Sequence, residues 1–309
     1  MRVVSLLPSA TEMVHFVGAG GSLVGVTHEC DYPEGVEGLP KLTSTSIDQH
    51  AMTSAEIDAA VGKRLTDSGS IYSLDAGLLE GLEPNLVLTQ GLCDVCAVSS
   101  DIVSQAVAGL PREPRILSLN PTTLSEVLQT TIEVGDAVGR GEEARERVAD
   151  LRARLARVEE AVAGLSRPRV GCIEWLDPPF SAGHWVPEMV RRAGGQGLFA
   201  EAGEPSARLS WEEVFEAAPE VVVLMPCGFD TTRALREAGI LPGIPGWSGL
   251  PAVESGRVWA VDANSHFSRP APRLVEGVEI LARILHPEAF PGAPEPEEAV
   301  SLAAGEIRY

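Results

Sequence analysis

Residues 122–165 form the longest stretch of the chain without proline. Within it Ala144, Val148, Leu151, Leu155, Val158, Val162 and Leu165 recur at spacings of four and three, which gathers them on one narrow stripe of a helix. The other positions, among them Arg145, Glu146, Arg147, Asp150, Arg152, Arg154, Arg157, Glu159 and Glu160, make a mixed, solvated face. At about 1.5 Å per residue the part from Glu142 to Gly164 would be roughly 35 Å long. Gly139-Arg140-Gly141 divides it from a shorter first helix. Strand-and-helix alternation precedes and follows the stretch, so it reads as a strut joining two α/β lobes. Its stripe covers only about three heptads, which is short for a coiled coil.

A chain of 309 residues exceeds one typical core. The expected division is an N-terminal lobe over 1–121, connecting helices over 122–165, a C-terminal lobe over 166–287 and a tail over 288–309. The tail is rich in Pro, Gly, Glu and Ala and reads as loosely packed. A net charge of −20 argues against nucleic acid and anionic membrane surfaces as partners. No apolar run approaches the ~20 residues that cross a bilayer, so membrane insertion is not expected. Met1-Arg2 leads straight into Val3-Val4-Ser5-Leu6-Leu7 without an export-signal pattern. The expected compartment is therefore the cytoplasm, or the periplasm or cell surface if a leader has been removed. The five cysteines, an odd number, are then expected to be reduced thiols or ligands.

Taken in order, the first lobe reads as a strand at Arg2–Leu7, then a helix opened by a Ser9/Glu12 capping box. Strands follow at Leu23–Val26, Leu86–Thr89 and Arg115–Leu119, with helices between them. The second lobe reads as strands at Arg169–Trp175, Glu220–Met225 and Arg257–Val261, and a last amphipathic helix at Pro272–Leu285. Such alternation implies parallel strands and right-handed crossovers.

Ligands of open α/β sheets bind outside the carboxyl ends of the strands. That rule collects Pro8-Ser9, Thr27–Tyr32 (with His28 and Cys30), Gln90–Cys96 (with Cys93), Trp175–Phe180, Pro226–Phe229 (with Cys227) and Asn264–Arg269 (with His266 and Phe267). Two lobes with strand ends facing each other would enclose a cleft, the expected site. Trp175 and Trp185 lie where a flat apolar ligand could stack. Arg269 reads either as an anion clamp or as a cap on the following helix. Cys93-x-x-Cys96 has the spacing of a redox pair or half a zinc site; packing in a tight loop and ligand contact stay open beside that reading. His28 and Cys30 could join a soft metal cluster with Cys93, Cys227 or His266, or line a cleft separately. The chain has no G-x-S-x-G, P-loop or G-x-G-x-x-G, and spacing proposes no catalytic residue.

RVVSLLPSATE (2–12), GVTHECDYP (25–33), SLNPTTLSEV (118–127) and GRVWAVDANSHFSRPAPRLVEGVEIL (256–281) resemble the cobalamin- and siderophore-type substrate-binding proteins of ABC transporters, the cobalamin branch above all. The resemblance covers most of the chain, about Arg2 to His286. It implies two Rossmann-like α/β lobes joined by one long connecting helix, with the ligand in the cleft between them. The implied ligand is cobalamin, a related corrinoid or another metal chelate, with no other cofactor, and the implied partner is an ABC permease. The resemblance puts Ser9, Tyr32, Trp175, Trp185 and the His266–Arg269 loop at that ligand. With no leader and with cysteines at the strand ends, the expectation is a cytoplasmic, non-catalytic relative. The alternative is a metal- or cluster-binding protein, or an enzyme, using Cys30, Cys93, Cys96 and Cys227.

Overall fold

A computed structural model describes residues 1–49, 51–68, 70–91, 98 and 100–302. The chain divides into two compact units. One comprises Met1–Pro121 with Ser125–Ala149, the other Thr122–Leu124 with the chain from Asp150 onward.

In the first unit short β-branched and leucine runs make strands. The elements are β1 (Val3–Ser5), α1 (Pro8–Phe16), β2 (Leu23–Val26), β3 (Thr43–Thr45), α2 (Ser54–Ser68), β4 (Tyr72–Leu74), α3 (Ala76–Gly81), β5 (Leu86–Thr89), α4 (Ser100–Ala108), β6 (Arg115–Ser118), nearly all of α5 (Leu124–Ala137) and the start of α6 (Gly141–Ala161). Four strands pair in parallel in the order β2-β1-β5-β6, while β3 and β4 form a separate antiparallel pair. On one face Ser5 looks toward α1, where the Thr11 hydroxyl donates to its Oγ at 2.9 Å. On the other face Val4, Leu6 and Val87 pack with Leu79 of α3 and Val103 and Val107 of α4. The expected Ser9/Glu12 box does not start α1. Leu7 is the N-cap, no side chain caps the helix, and Pro8 opens it. Proline suits that place because its fixed φ is already helical and its missing N–H would have had no partner there. Ser9 is thereby carried inside the helix and buried.

The second unit holds β7 (Arg169–Leu176), β8 (Pro179–Ser181), α7 (Val186–Arg192), β9 (Gln196–Gly197), α8 (Trp211–Ala217), β10 (Val221–Leu224), α9 (Thr231–Glu237), α10 (Pro251–Glu254), β11 (Val258–Val261), α11 (Ala263–His266), α12 (Leu274–Leu285) and β12 (Ala299–Ser301). The sheet runs β12-β11-β10-β7-β8, with β9 also on β7. Among its strands β9, β7, β10 and β11 are mutually parallel. Their order places second beside first, then third and fourth, the same permutation as β2-β1-β5-β6. Ile173, Val222, Leu224, Val258 and Ala260 pack on Val214, Ala234 and Ala252 from α8, α9 and α10. On the opposite face Val170, Val190 of α7 and Leu285 of α12 close over Gly195, where a Cβ would meet each within 2.9 Å. The residues after Pro287 are not merely a loose tail. Ala299–Ser301 adds an antiparallel edge strand to β11, and Leu302 is buried in the same core. The Pro- and Glu-rich composition masks that short apolar run.

The long proline-free stretch is a helix pair, α5 and α6, broken at residues 138–140 with Gly139 at φ +76°. A Cβ on Gly135 would lie 2.4 Å from the Cβ of Ala144, so glycine lets the two helices approach at their hairpin. The 21 residues of α6 span about 31 Å. Ala144, Val148, Leu151, Leu155 and Val158 are buried, as the periodicity requires. The helix stops at Ala161, short of the expected Leu165, and Gly164 at φ +81° leaves Val162 and Leu165 in the turn beyond it. Within the second unit, Arg154 of α6 donates through Nε and Nη2 to the Glu279 carboxylate of α12, at 2.9 and 2.7 Å. That bond raises the guanidinium pKa above its ordinary value. Leu151→Ala is expected to lower unfolding stability by about 2–5 kcal/mol, the usual result of a cavity at a buried leucine. Urea denaturation measures it; a loss under about 0.5 kcal/mol would show that the stripe is not packed.

Candidate ligand-binding site

A parallel sheet covered on both faces leaves its carboxyl edge as the place where side chains from several strands converge, and a crevice opens where the strand order reverses. The reversal falls between β1 and β5 in the first unit and between β7 and β10 in the second.

In the first unit, the segment after β2 is tied to β3. The Thr43 hydroxyl donates to Thr27 Oγ1 at 2.7 Å and accepts from the His28 backbone N–H at 3.1 Å. It also lies 2.7 Å from His28 Nδ1. Because its single proton goes to Thr27, Nδ1 must supply the hydrogen of that contact. Nε2 then lies 3.2 Å from Glu29 Oε1, and the ring packs on Tyr72 with centroids 5.6 Å apart. Cys30 is buried, its Sγ 3.1 Å from Thr11 Oγ1 and its carbonyl accepting from Lys41 Nζ at 3.0 Å. Tyr32 contrasts with these neighbours, being 44% exposed. Gln90 is buried at the end of β5. Cys93 and Cys96 lie outside the described residues.

In the second unit, Trp175 at the end of β7 meets Phe229 after β10, ring centroids 5.5 Å apart, directly across the reversal. The Arg233 guanidinium sits over the Phe229 ring at 3.8 Å, a cation–π contact. The loops after β10 and β11 are joined by two bonds: Gly228 N–H donates to Ser268 Oγ at 3.2 Å, and Asn264 N–H to the Phe229 carbonyl at 3.0 Å. Arg269 donates from Nη2 to Asn264 Oδ1 at 2.8 Å, so its guanidinium is oriented at the edge. Cys227 is exposed there. The Nδ1 of His266 is 3.6 Å from Glu276 Oε2. Trp185 and Phe267 lie inside the unit, both buried, with the indole N–H donating to the Phe267 carbonyl at 2.7 Å. They support the loop from beneath, whereas Trp175, Cys227 and Arg269 are the residues at its rim. His184, beside Trp185, takes a left-handed backbone at φ +52°, and burial lowers its imidazole pKa.

The strand-end rule collected the segments that hold Phe229, Asn264 and Ser268 without singling out those side chains. Thr43 lay outside every such segment, because it acts through a pairing that no local pattern announces. A wide depression of about 850 Å³ also exists in the first unit, lined by Arg2, Glu80, Glu83, Asn85 and Arg112. It lies at the amino ends of the strands, and none of the strand-end residues borders it.

The sequence profile of the periplasmic binding protein family matches residues 99–264. The chain belongs to that family. It is 26% identical over 297 residues to an uncharacterized ABC transporter substrate-binding lipoprotein of Bacillus subtilis, covering 94% of this chain and 81% of that protein. It is 24% identical over 296 residues to the vitamin B12-binding protein of Vibrio cholerae, covering 92% and 88%. In fold it is similar to the periplasmic vitamin B12-binding protein of Vibrio cholerae (TM-score 0.68, 22% identity, 93% and 97% covered). It is also similar to a periplasmic haem-binding protein of Pseudomonas aeruginosa (TM-score 0.73, 21% identity, 98% and 99% covered). At the coarse level this is a substrate-binding protein of the ABC-transporter type. The expectation of a cytoplasmic protein finds no support in relatives named as a lipoprotein or as periplasmic. Among the described residues, no helix is long and apolar enough to cross a membrane.

The cysteine-based alternative finds no support either. Among the described residues no three His, Cys, Asp or Glu side chains are grouped to hold a metal. Cys172, inside β7, is pushed up to about 12, chiefly by burial and further by Glu174, so its thiol stays protonated and unreactive. Alkylation of the native protein with iodoacetamide is expected to label Cys227 well before Cys30 or Cys172. Labelling of Cys172 should not rise between about pH 7 and 10, where an ordinary thiol ionises. Peptide mapping by mass spectrometry reads the order; early modification of Cys172 would contradict the burial.

Proposed function

We propose that this chain is the exported substrate-binding component of an ABC importer, and that its ligand is a cobalamin-like corrinoid or a related flat metal chelate. The observation that carries the ligand class is the Trp175–Phe229 pair at the β7/β10 reversal, with Arg269 bonded to Asn264, whose N–H in turn donates to the Phe229 carbonyl. A flat macrocycle presents an apolar face for an aromatic ring to cover and peripheral polar groups for a guanidinium to bind. The reading gives Trp175 the stacking role and Arg269 the polar one. In the first unit Tyr32 stands at the rim, with Ser9, His28, Cys30 and Gln90 at or near the strand ends; in the second, Cys227 and His266 lie near the strand ends. Trp185 and Phe267 act from beneath. Similarity to the vitamin B12-binding protein of Vibrio cholerae over 92% of the chain supports a corrinoid. Haem, another planar metal macrocycle, is the competing ligand, since a haem-binding protein shares the fold.

Calorimetric titration of the purified protein with cyanocobalamin, cobinamide and haemin tests the reading. Corrinoid affinity in the micromolar range or tighter, exceeding that for haemin, is the expected result. Trp175→Ala and Arg269→Ala should each weaken it about tenfold to a hundredfold, the usual range for a buried aromatic anchor or a charged hydrogen bond. Equal or tighter haemin binding would transfer the assignment to haem. No binding of any of the three at millimolar concentration would remove the flat-chelate reading altogether.

A further inference from the structure

The loop after β11 carries Arg269, and its path is fixed by two elements that do not belong to it. Asp262 caps α11, accepting from Ser265 N–H at 2.9 Å. The helix lasts only from Ala263 to His266, and the Phe267 and Ser268 amides both turn back to the Ala263 carbonyl, at 3.0 and 2.8 Å. The carbonyls of His266 and Phe267 are left pointing away from any helical partner. Each meets a different neighbour. The Phe267 carbonyl accepts from the indole N–H of Trp185, the residue that opens α7. The His266 carbonyl lies against Gly277 of α12, where an added Cβ would be 2.3 Å from that oxygen, 2.7 Å from Met189 Cε and 3.3 Å from Phe267 Cε1. Glycine is unfavourable inside a helix, and Gly277 has no left-handed backbone to excuse it. Close approach to the loop is what its missing side chain permits.

We infer that Trp185 and Gly277 are positioning residues that set the main chain of loop 264–269 and so the place from which Arg269 reaches the ligand. Rotating the loop would leave two buried polar groups, the indole N–H and the Phe267 carbonyl, without partners. A loop held in its bound geometry before the ligand arrives loses less entropy on binding. Trp185 is buried, so it acts on affinity through the loop and not by touching the ligand. The ligand half of this inference rests on the proposed function; the loop half does not.

The test is made on the full chain with Trp185→Phe, which keeps an aromatic ring and removes the donor, and with Gly277→Ala, which keeps the tryptophan and adds one methyl. Amide hydrogen exchange is followed without ligand, and dissociation of cyanocobalamin by surface plasmon resonance. Each variant should speed exchange about fivefold at residues 264–269, the factor for one lost hydrogen bond, with the amides of β7 and β10 unchanged. Cyanocobalamin should dissociate about fivefold faster with its association rate nearly constant. Exchange that rises equally across the sheet would reduce both residues to packing and overturn the inference, and so would exchange that rises nowhere. If one variant does not fold, the other decides. If cyanocobalamin fails to bind the wild type, the corrinoid assignment falls, and the exchange pattern alone then decides whether the loop is positioned as inferred.

Discussion

Parallel strand pairing governs where chemistry can occur in this protein. A parallel strand needs a crossover to return the chain to the same end of the sheet, and the crossover helices cover both faces. In the first unit those faces are taken by α1 on one side and by α3 and α4 on the other. In the second they are taken by α8 to α10 and by α7 with α12. Only the strand ends remain; the carboxyl ends carry the loop of Tyr32 in the first unit and those of Trp175, Cys227 and Arg269 in the second. The same permutation of strands in both units puts the reversal between the first and third parallel strands each time. Trp175 and Phe229 are partners for that reason, although 53 residues of chain lie between them.

This constraint also explains what could be read before the structure was known. Val221–Leu224 is apolar at every position because it is buried on both faces, so it announces itself. The stripe on α6 is legible for the opposite reason, a single buried face recurring with the helical period. Edge elements carry neither signal. Ala299–Ser301 is an antiparallel edge strand three residues long, and its neighbours Glu295, Glu297 and Glu298 dominate the local composition. The pair Thr43–Thr45 and Tyr72–Leu74 depends on a contact between segments far apart in sequence. Start signals compete as well. The Ser9 and Glu12 spacing fits a capping box, but Pro8 is the stronger determinant, because a pyrrolidine ring already sits at the helical φ and needs no cap for an absent N–H.

The site residues divide along the same physical line. A residue type and its place after a strand are visible in sequence, which is how Tyr32, Trp175, His266 and Arg269 became candidates. The direction of a side chain is not. Trp175 and Trp185 look equivalent as tryptophans near strand β7, yet one ends the strand at the rim and the other turns inward beneath α7. The difference comes from β8, which folds back along β7, pairing Phe180 with Trp175 and Ser181 with Ile173. Trp185 is thereby carried away from the strand end before α7 begins, and its indole reaches the loop from below.

Under the proposed function, a large aromatic beneath the loop that carries Arg269 has a consequence for specificity. Contact residues at a rim can be exchanged with little effect on the fold, since their side chains face solvent on one side. Trp185 and Gly277 cannot, because each fills or vacates a space defined by three packed elements, α7, α11 and α12. Under the proposed function, Trp175, Cys227 and Arg269 are therefore the positions that could change to suit another flat chelate while Trp185 and Gly277 stay. On that reading the main chain that carries Arg269 is set by Trp185 and Gly277, and the residues that would meet the ligand need not hold it.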